Sequence, residues 1–394
     1  MLRHAQTLWN RRRATVPAEG FVFDKPLVLL QSDDWGRVGV RDQEGFEQIR
    51  SSGVVLGERP YDFYSLETAD DVSALGGLLK QHRDATGRSA CLEMNFVLAN
   101  VDFKKCAADR WRSVHLLPLS EGLPGQWSRP RLFQAYANGI TSGVFCPALH
   151  GLTHFCRFSV EPYAARDRDA QSQLLRTLWR AETPYIHWRM PWVGYEYSVL
   201  EGEAYERFLP ADKQQRLIDD AVRIFIKLFS ATPQSACAPG YRANRDTVCG
   251  WAKHGIRVAQ NGPGEVSPPY FDDAGLLQVF RTVEFEPAVN PAFSLAHALQ
   301  SAEECIARGI PVVISMHSIN FHSTLRDFRT NTLRQLDQFL STLEEKYSDL
   351  LYVDDADLWD IVQHGVYEHV GNKTSVRATK LDPGKKWIEA GRTA

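Results

Sequence analysis

The chain has 394 residues, of which 45 are basic and 48 acidic, so its formal net charge at pH 7 is −3. This balance provides no basic field for a phosphate backbone, and nucleic acid is therefore not an expected partner. With 44% hydrophobic and 24% charged residues, the composition is close to that of an average globular protein and favours neither a disordered nor a membrane class. The length suits one barrel-sized core.

The first residues form a basic arm that lacks the apolar core of a signal peptide. We expect this arm, residues 1–20, to be solvated, with weak contact to anionic lipid head groups as the alternative. No later run reaches the ~18 apolar residues of a membrane-spanning helix. The seven cysteines are scattered without a CxxC pair, which indicates reduced thiols. We therefore expect a cytoplasmic protein with a single domain at 21–375 and a C-terminal tail at 376–394.

Short apolar segments rich in β-branched residues alternate with amphipathic segments, which is typical of βα units. The predicted strands lie at 26–33, 91–98, 143–149, 184–188, 235–241, 256–260, 278–285, 312–317 and 350–353. The predicted helices lie at 66–83, 161–182, 203–230, 293–308 and 325–346. Continuously apolar strands are buried on both faces, so the pattern predicts an α/β fold, either a barrel or a doubly wound sheet. Residues 101–137 are polar, contain prolines and are predicted to form a long loop.

Polar residues gather where three of the predicted strands end. Asp33 and Asp34 close the first strand, His150 and His154 follow the third, and His317 closes a late one. An Asp-Asp pair alone is more often a turn or a helix cap, and two histidines four residues apart occur by chance. Three such strand ends together nevertheless predict a site, because parallel strands bring their carboxyl ends to one edge.

Two imidazoles and a carboxylate form a donor set suited to a divalent metal, for which zinc is our first expectation. If the segment between His150 and His154 is helical, their spacing puts both rings on one face. One aspartate then completes a set of about three protein ligands with a position open for water. The other aspartate is free to move protons.

These segments resemble the motifs of the polysaccharide deacetylases, the NodB-homology family of the glycoside hydrolase/deacetylase superfamily. Ser-Asp-Asp-Trp-Gly at 32–36 is similar to the first motif and His-Gly-Leu-Thr-His at 150–154 to the second. Ala-Pro-Gly-Tyr-Arg at 238–242 is similar to the third, and 316–321 stands where the late histidine motif belongs. The resemblance covers roughly residues 26–325. It implies a distorted (β/α) barrel of about seven strands, with helical and loop insertions and a metal at its C-terminal mouth.

The resemblance also implies roles for these residues. Asp34 binds the metal together with His150 and His154, while Asp33 is the general base. We expect His317 to protonate the leaving amine, with His322 as the less favoured substitute. The remaining predicted substrate or oxyanion residues are Trp35, Trp188, Trp192, Gly240, Tyr241, Arg242 and Asn320.

Two departures from the family pattern affect this prediction. The arginine that usually orients the catalytic aspartate is replaced by Cys237, and Arg242 and Arg245 are the candidate replacements. Trp35 occupies a position that is often small, so it is expected to narrow or reshape the pocket.

Several further polar and aromatic residues have less certain roles in the sequence, and two of these groups keep two interpretations each. The aromatic residues of 185–205 either stack on sugar rings or fill the core, and His187 is read as a core histidine. Residues 354–357, with three aspartates, are read as a solvated helix N-terminus. Glu284 and Glu286 either face the pocket or belong to the polar face of an edge strand.

The sequence therefore predicts a metal-dependent hydrolase that removes an acyl group, N-acetyl first, from an amino-sugar-containing glycan or its precursor. One alternative is cleavage of another C–N bond or a glycosidic bond on the same barrel, although glycosidase action requires a second carboxylate that is not evident. The other alternative is a non-catalytic glycan-binding barrel, which the missing motif arginine favours and the retained aspartates and histidines oppose.

Overall fold

The structure is a computed structural model that describes residues 20–166, 168–186, 208–264 and 266–381. Its strands are β1 (Phe21–Phe23), β2 (Leu27–Trp35), β3 (Leu92–Phe96), β4 (Ala99–Val101), β5 (Leu116–Pro118), β6 (Phe145–Leu149), β7 (Ser235–Cys237), β8 (Val258–Asn261), β9 (Tyr270–Phe271), β10 (Leu277–Phe280), β11 (Val283–Glu284), β12 (Val312–His317), β13 (Leu351–Tyr352), β14 (Val366–His369), β15 (Asn372–Ser375) and β16 (Ala378–Lys380). Its helices are α1 (Gln43–Ser51), α2 (Ala69–Leu79), α3 (Phe103–Ala108), α4 (Leu132–Thr141), α5 (Arg157–Ala165), α6 (Ala170–Arg180), α7 (Ala211–Phe229), α8 (Arg245–Lys253), α9 (Leu295–Ala307), α10 (Arg329–Lys346) and α11 (Asp355–His364).

A central sheet joins the strands in the order β11-β12-β2-β3-β6-β7-β8-β10-β9, with β13 also paired to β2. Every pair from β11 to β10 is parallel, and β9 is antiparallel to β10. His317 pairs in register with Asp33 across β12 and β2. The predicted α/β class is thus confirmed, and the parallel direction brings the carboxyl ends of the strands to one edge.

Strand β2 shows why the sheet is buried on both faces. All nine of its residues are buried. Val28 and Leu30 pack in the large core cluster that includes the helices, whereas Leu29 packs with strand residues such as Val313. Because side chains alternate along a strand, Leu29, Gln31 and Asp33 lie on the same side, in successively higher layers. An apolar layer therefore supports a polar layer, which in turn lies below the candidate site.

Several predicted elements differ from the observed ones. Residues 101–137 are not a single long loop, because they contain α3, β5 and α4. Helix α3 begins where the Asp102 side chain accepts the Lys105 N–H, and it buries Phe103 and Cys106. The predicted strand 235–241 ends at Cys237, since Pro239 opens a 3₁₀ turn.

The single helix predicted at 161–182 is also wrong, because two separate helices, α5 and α6, lie there. Helix α6 starts afresh at Asp169, whose side chain accepts the Ser172 N–H. Residues 184–186 form no strand, and the rest of that predicted strand lies outside the described residues.

Candidate metal and catalytic site

The two neighbouring aspartates at the end of β2 reach different partners because the strand is irregular there. The pairing of β2 with β3 shifts register between Ser32 and Trp35, and Asp34 has a φ of 76°. In a regular strand, consecutive side chains point to opposite faces, so this bulge is what lets both carboxylates face the site. The left-handed backbone is held by the Tyr64 hydroxyl, which donates to the Asp34 carbonyl over 2.8 Å. The Glu67 side chain accepts the Gly36 N–H at 2.9 Å.

The structure brings together the three predicted metal ligands. His150 and His154 follow β6 on an irregular segment, so the helical placement considered for this pair is wrong. Their Nε2 atoms nevertheless lie 3.7 Å and 3.1 Å from Asp34 Oδ1. The ligand atoms of the three side chains all lie within 4.8 Å of one another, and all three residues are buried.

The donor atoms of this cluster fit a divalent cation. His150 Nδ1 hydrogen-bonds to the Cys237 carbonyl at 2.9 Å, and His154 Nδ1 contacts the Tyr185 hydroxyl, so both Nε2 atoms face Asp34. Such outer bonds fix the ring orientation of metal-binding histidines. Asp34 Oδ1 and His150 Nε2 are buried without a hydrogen-bond partner among the described residues. Buried polar atoms are rarely left so, which supports a cation at this position.

Arg37 balances the charge of Asp34. Its Nη1 lies 2.9 Å from Asp34 Oδ2, and its guanidinium lies 4.1 Å from the centre of the Tyr64 ring and 5.0 Å from that of the Tyr185 ring. Burial alone would raise the pKa of Asp34, but Arg37 and His154 hold it well below its usual range. The carboxylate is therefore ionised and turned toward the histidines.

A second group of possible ligands, Asp33, His150 and Cys237, fits a metal less well. Both Asp33 oxygens are already bound by Arg281: Nη2 to Oδ1 at 2.6 Å and Nη1 to Oδ2 at 2.7 Å. A cation at this group would face the guanidinium. The group that contains Asp34 is therefore the better candidate for a metal site.

Arg281 is the arginine that pairs with Asp33. Burial would raise the pKa of Asp33, but the charge and hydrogen bonds of Arg281 hold it well below its usual range. Arg242 and Arg245 were the two candidates considered for this pairing, but the arginine that pairs with Asp33 follows β10. The only sequence signal was an arginine inside a predicted apolar strand, and its distance of 248 residues from Asp33 hid the pairing.

His317 lies on the other side of Asp33 and is supported by an acid. Its Nδ1 contacts Glu286 Oε1 at 2.6 Å, and its Nε2 lies 3.9 Å from Asp33 Oδ2. Burial lowers its pKa, but Glu286, together with the two aspartates, raises it to about 9. Of the two readings of Glu286, the structure supports the one in which it faces the site.

Three residues predicted at the site have almost fully buried side chains. Asn320 is fully buried and donates to Glu286 Oε2 at 2.6 Å, so it supports the acid that holds His317. Trp35 is also fully buried and stacks on Phe321, because the bulge turns it into the core. His322 is buried with its Nε2 3.4 Å from Glu67, and its role as a substitute proton donor stays a prediction.

The turn after β7 was predicted to provide an oxyanion donor. Gly240 and Tyr241 both have positive φ, 62° and 58°. The Tyr241 N–H already donates to the Ala238 carbonyl at 2.8 Å, so the Gly240 N–H is the donor that this turn offers. The Tyr241 hydroxyl accepts from Arg281 Nη1 at 2.9 Å. Arg242 is half-buried at the end of the turn.

The aromatic residues Trp188 and Trp192 and the histidine His187 lie outside the described residues. Tyr185, at the start of the same predicted segment, is buried and touches His154. The stacking role proposed for the segment as a whole stays a prediction.

The acidic segment at 354–357 opens helix α11 as predicted, but it is not solvated. Asp354 caps the helix by accepting the Asp357 N–H, and Asp355 is fully buried. Burial raises the pKa of Asp355 to about 6. The sequence could not show this burial, because the buried partners of Asp355 are polar side chains and not the apolar ones by which a core is recognised.

Within the described part of the chain, no helix combines the length and the apolar character needed to cross a bilayer.

Metal analysis tests the ligand assignment. Protein purified with zinc present should contain about one metal per chain, and His150→Ala should contain much less because one of three ligands is lost. The matched control is His254→Ala, which removes a partly exposed imidazole that pairs with Asp219. Equal metal content in all three proteins would exclude the assignment.

Comparison with known proteins identifies the fold. No family model and no curated protein sequence matches the chain. Among solved structures, a protein from Parabacteroides distasonis named as a candidate glycoside hydrolase/deacetylase is similar over 88% of this chain and 73% of its own. Its identity is 12% and its TM-score 0.51.

Two further structures carry related names. One from Pseudomonas aeruginosa PAO1, named a probable polysaccharide deacetylase, has 11% identity, covers 86% of this chain and 92% of its own, and has a TM-score of 0.45. One from Mycobacterium smegmatis, named as a candidate polysaccharide deacetylase, has 12% identity, coverages of 86% and 90%, and a TM-score of 0.44. The fold assignment rests on the Parabacteroides structure. The chain has the NodB-like distorted (β/α) barrel fold.

Proposed function

We propose that this chain is a metal-dependent amide hydrolase that removes an acyl group, N-acetyl first, from an amino-sugar-containing glycan or its precursor. A fold alone does not specify a reaction, so the proposal depends on the site. The observation that carries it is the arrangement of two groups of residues. Asp34 and two histidines form a candidate metal-binding set. Beside it lie Asp33, which is paired with Arg281, and His317, which is paired with Glu286.

Asp33 is the proposed general base. A divalent cation held by Asp34, His150 and His154 would supply Lewis acidity, which makes water a usable nucleophile near neutral pH. Asp33 is ionised, lies beside that position and is oriented by Arg281 through both of its oxygens. Its carboxylate can therefore accept a proton from the attacking water.

His317 is the proposed general acid. Because its pKa is raised to about 9, its imidazole is protonated at neutral pH. Glu286 holds Nδ1, so the proton that can be given away is on Nε2, which points to the Asp33 side. About a quarter of the side chain is exposed (23%), so a substrate can reach it. An amine leaving group needs such a proton.

Two observations bear on the alternatives. A retaining or inverting glycosidase needs a second carboxylate across the sugar, but the neighbouring acid Glu286 is bound by both His317 and Asn320. A glycan-binding module needs neither a base held by an arginine nor an acid held by a glutamate. The sequence favoured a binding module only because no arginine was found to pair with Asp33. Arg281 makes that pairing, so this support for a binding module is lost.

Acetate release from a panel of acetylated amino sugars, with zinc supplied and with chelator added, tests the proposal. We expect metal-dependent release from at least one member of the panel. Saturable glycan binding without release, under both conditions, would instead support a binding module. Release of reducing sugar without acetate would support a glycosidase.

The pH dependence of kcat/KM tests the role of His317. The wild-type rate should fall on the alkaline side as His317 loses its proton, near the pKa of about 9 or below it once a cation adds positive charge. Glu286→Gln removes the negative charge that raises this pKa, so the alkaline limb should move to lower pH by about 1–3 units.

The control for this prediction is Glu284→Gln. Glu284 lies two residues away, is exposed and accepts from the Asn290 side chain. Its variant should keep the wild-type profile. An alkaline limb that does not move in Glu286→Gln would assign the acid role to another group.

A further inference from the structure

A buried polar layer lies beneath the catalytic residues, and none of the roles described above uses it. Gln31 precedes Asp33 by two residues on β2, so both side chains lie on the same side of the strand. Gln260 comes from β8, and Asp355 comes from the first turn of α11. The exposure of all three residues is at most 3%. Buried polar groups of this kind are costly unless they are bonded, and these are bonded to one another.

Asp355 binds both glutamines. Its Oδ1 accepts from Gln31 Nε2 at 2.9 Å, and its Oδ2 accepts from Gln260 Nε2 at 2.7 Å. An ionised carboxylate only accepts hydrogen bonds, so it fixes the amino end of each amide toward itself. The two amide oxygens are therefore turned the other way.

Both amide oxygens face Arg281. Gln31 Oε1 lies 3.3 Å from Arg281 Nε, and Gln260 Oε1 lies 3.3 Å from Nη2. The same guanidinium holds both oxygens of Asp33. Arg281 is fully buried, so its position depends on these acceptors rather than on water.

A second path reaches Asp33 through Asn95. The Asn95 Nδ2 donates to Asp33 Oδ1 at 2.6 Å and to Gln260 Oε1 at 2.7 Å. This path also requires the side-chain oxygen of Gln260 to face Asn95, away from Asp355. Both supports of Asp33 thus depend on the amide orientation that Asp355 selects.

We propose that Asp355 is a positioning residue for Asp33: its carboxylate sets the orientation of Gln31 and Gln260, and through them that of Arg281 and Asp33. The inference rests on the proposed function, in which Asp33 is the general base. Asp355 lies on helix α11, which carries none of the metal-binding or catalytic residues proposed above.

The charge state of Asp355 agrees with this role. Burial raises its pKa to about 6, so the group is ionised at neutral pH. The neighbouring acids are Asp354 on the same helix and Glu93 on β3, whose Oε1 accepts the Asp355 N–H at 2.9 Å. Burial and these aspartates raise the pKa of Glu93 well above its usual range.

The variant Asp355→Asn tests the proposal. Its amide presents an N–H₂ group to one glutamine, which must turn and direct its own N–H₂ at Arg281. We expect kcat to fall by about 10- to 100-fold while KM and metal content stay unchanged. The control is Asp357→Asn, which alters a carboxylate in the same helical turn that binds Arg88. That variant should lower Tm without lowering the kcat of the folded protein, and a similar pattern in Asp355→Asn would overturn the proposal.

A double variant separates positioning from simple stabilisation. Asp355→Asn combined with Gln260→Glu moves the carboxylate to position 260 and again gives every donor an acceptor. We expect it to recover at least about tenfold of the lost kcat, since charge and hydrogen-bond pattern are restored. If the loss of kcat in the double variant equals the combined losses of the two single variants, the proposal is overturned. If Asp355→Asn does not fold, Gln260→Met removes one of the two links at similar volume and carries the same expectation.

Crystal structures of wild type and Asp355→Asn give a readout that needs no substrate. We expect the bidentate contact of Arg281 with Asp33 in wild type and its loss in the variant. If wild type releases no acyl group from any panel member, the proposed function fails and these structures alone decide the positioning role. Retention of the bidentate contact in the variant would overturn it.

Discussion

Replacing Asp33 by asparagine should lower turnover by about two to four orders of magnitude while the metal stays bound. The amide keeps the size of the side chain and its contact with Asn95, but it cannot accept a proton from water. Asp34 and the two histidines are untouched by the change. Steady-state kinetics and metal analysis on the same preparation measure both quantities.

Asp34→Asn is the matched comparison, because it makes the same change one residue later. It should weaken metal binding, since the amide replaces the anionic ligand that faces His150 and His154. Turnover then falls together with metal content, and added zinc restores part of it. If Asp33→Asn lost the metal and Asp34→Asn retained it, the roles of the two residues would be exchanged.

Arg281→Met should abolish most activity and destabilise the fold by about 3–5 kcal/mol near neutral pH. The variant leaves the charge of Asp33 buried without its partner. An uncompensated buried charge strongly destabilises a folded protein. The pKa of Asp33 should then rise above its usual range, because burial is the largest influence on it and the chief opposing charge is gone. Urea unfolding of chelator-treated protein measures the loss.

The pH dependence of that loss follows from the sign of the change. An acid whose pKa is higher in the folded than in the unfolded protein destabilises the fold at pH values above both, and the effect fades as the pH falls. The stability deficit of Arg281→Met should therefore shrink between pH 7 and acidic pH. Arg245→Met, an exposed position at the start of α8, is the control and should show neither effect. A deficit that is independent of pH would mean that Asp33 stays ionised without Arg281.

The sequence was sufficient to predict the α/β class and the residues that cluster at strand ends. Asp33, Asp34 and His317 stand at the ends of apolar strands, and His150 and His154 directly follow one, so local patterns located them. The structure places them together as expected. The identity of the metal and the substrate stays a prediction.

The supports of these residues could not be predicted from local patterns. Arg281 contacts Asp33 from 248 residues away, and Glu286 reaches His317 across 31 residues. Both pairings depend on the register of neighbouring strands, which apolar periodicity does not fix. Trp35 was misplaced for a related reason: a bulge of one residue turns a side chain to the opposite face.

Each carboxylate at the end of β2 has an arginine of its own: Asp33 with Arg281 and Asp34 with Arg37. The folded chain is therefore electrically balanced at this point before any cation arrives. We therefore expect the chain to fold without a metal. In a cell, occupancy would then follow the metal supply after synthesis, and a protein stripped of its metal would wait in a folded, reloadable state.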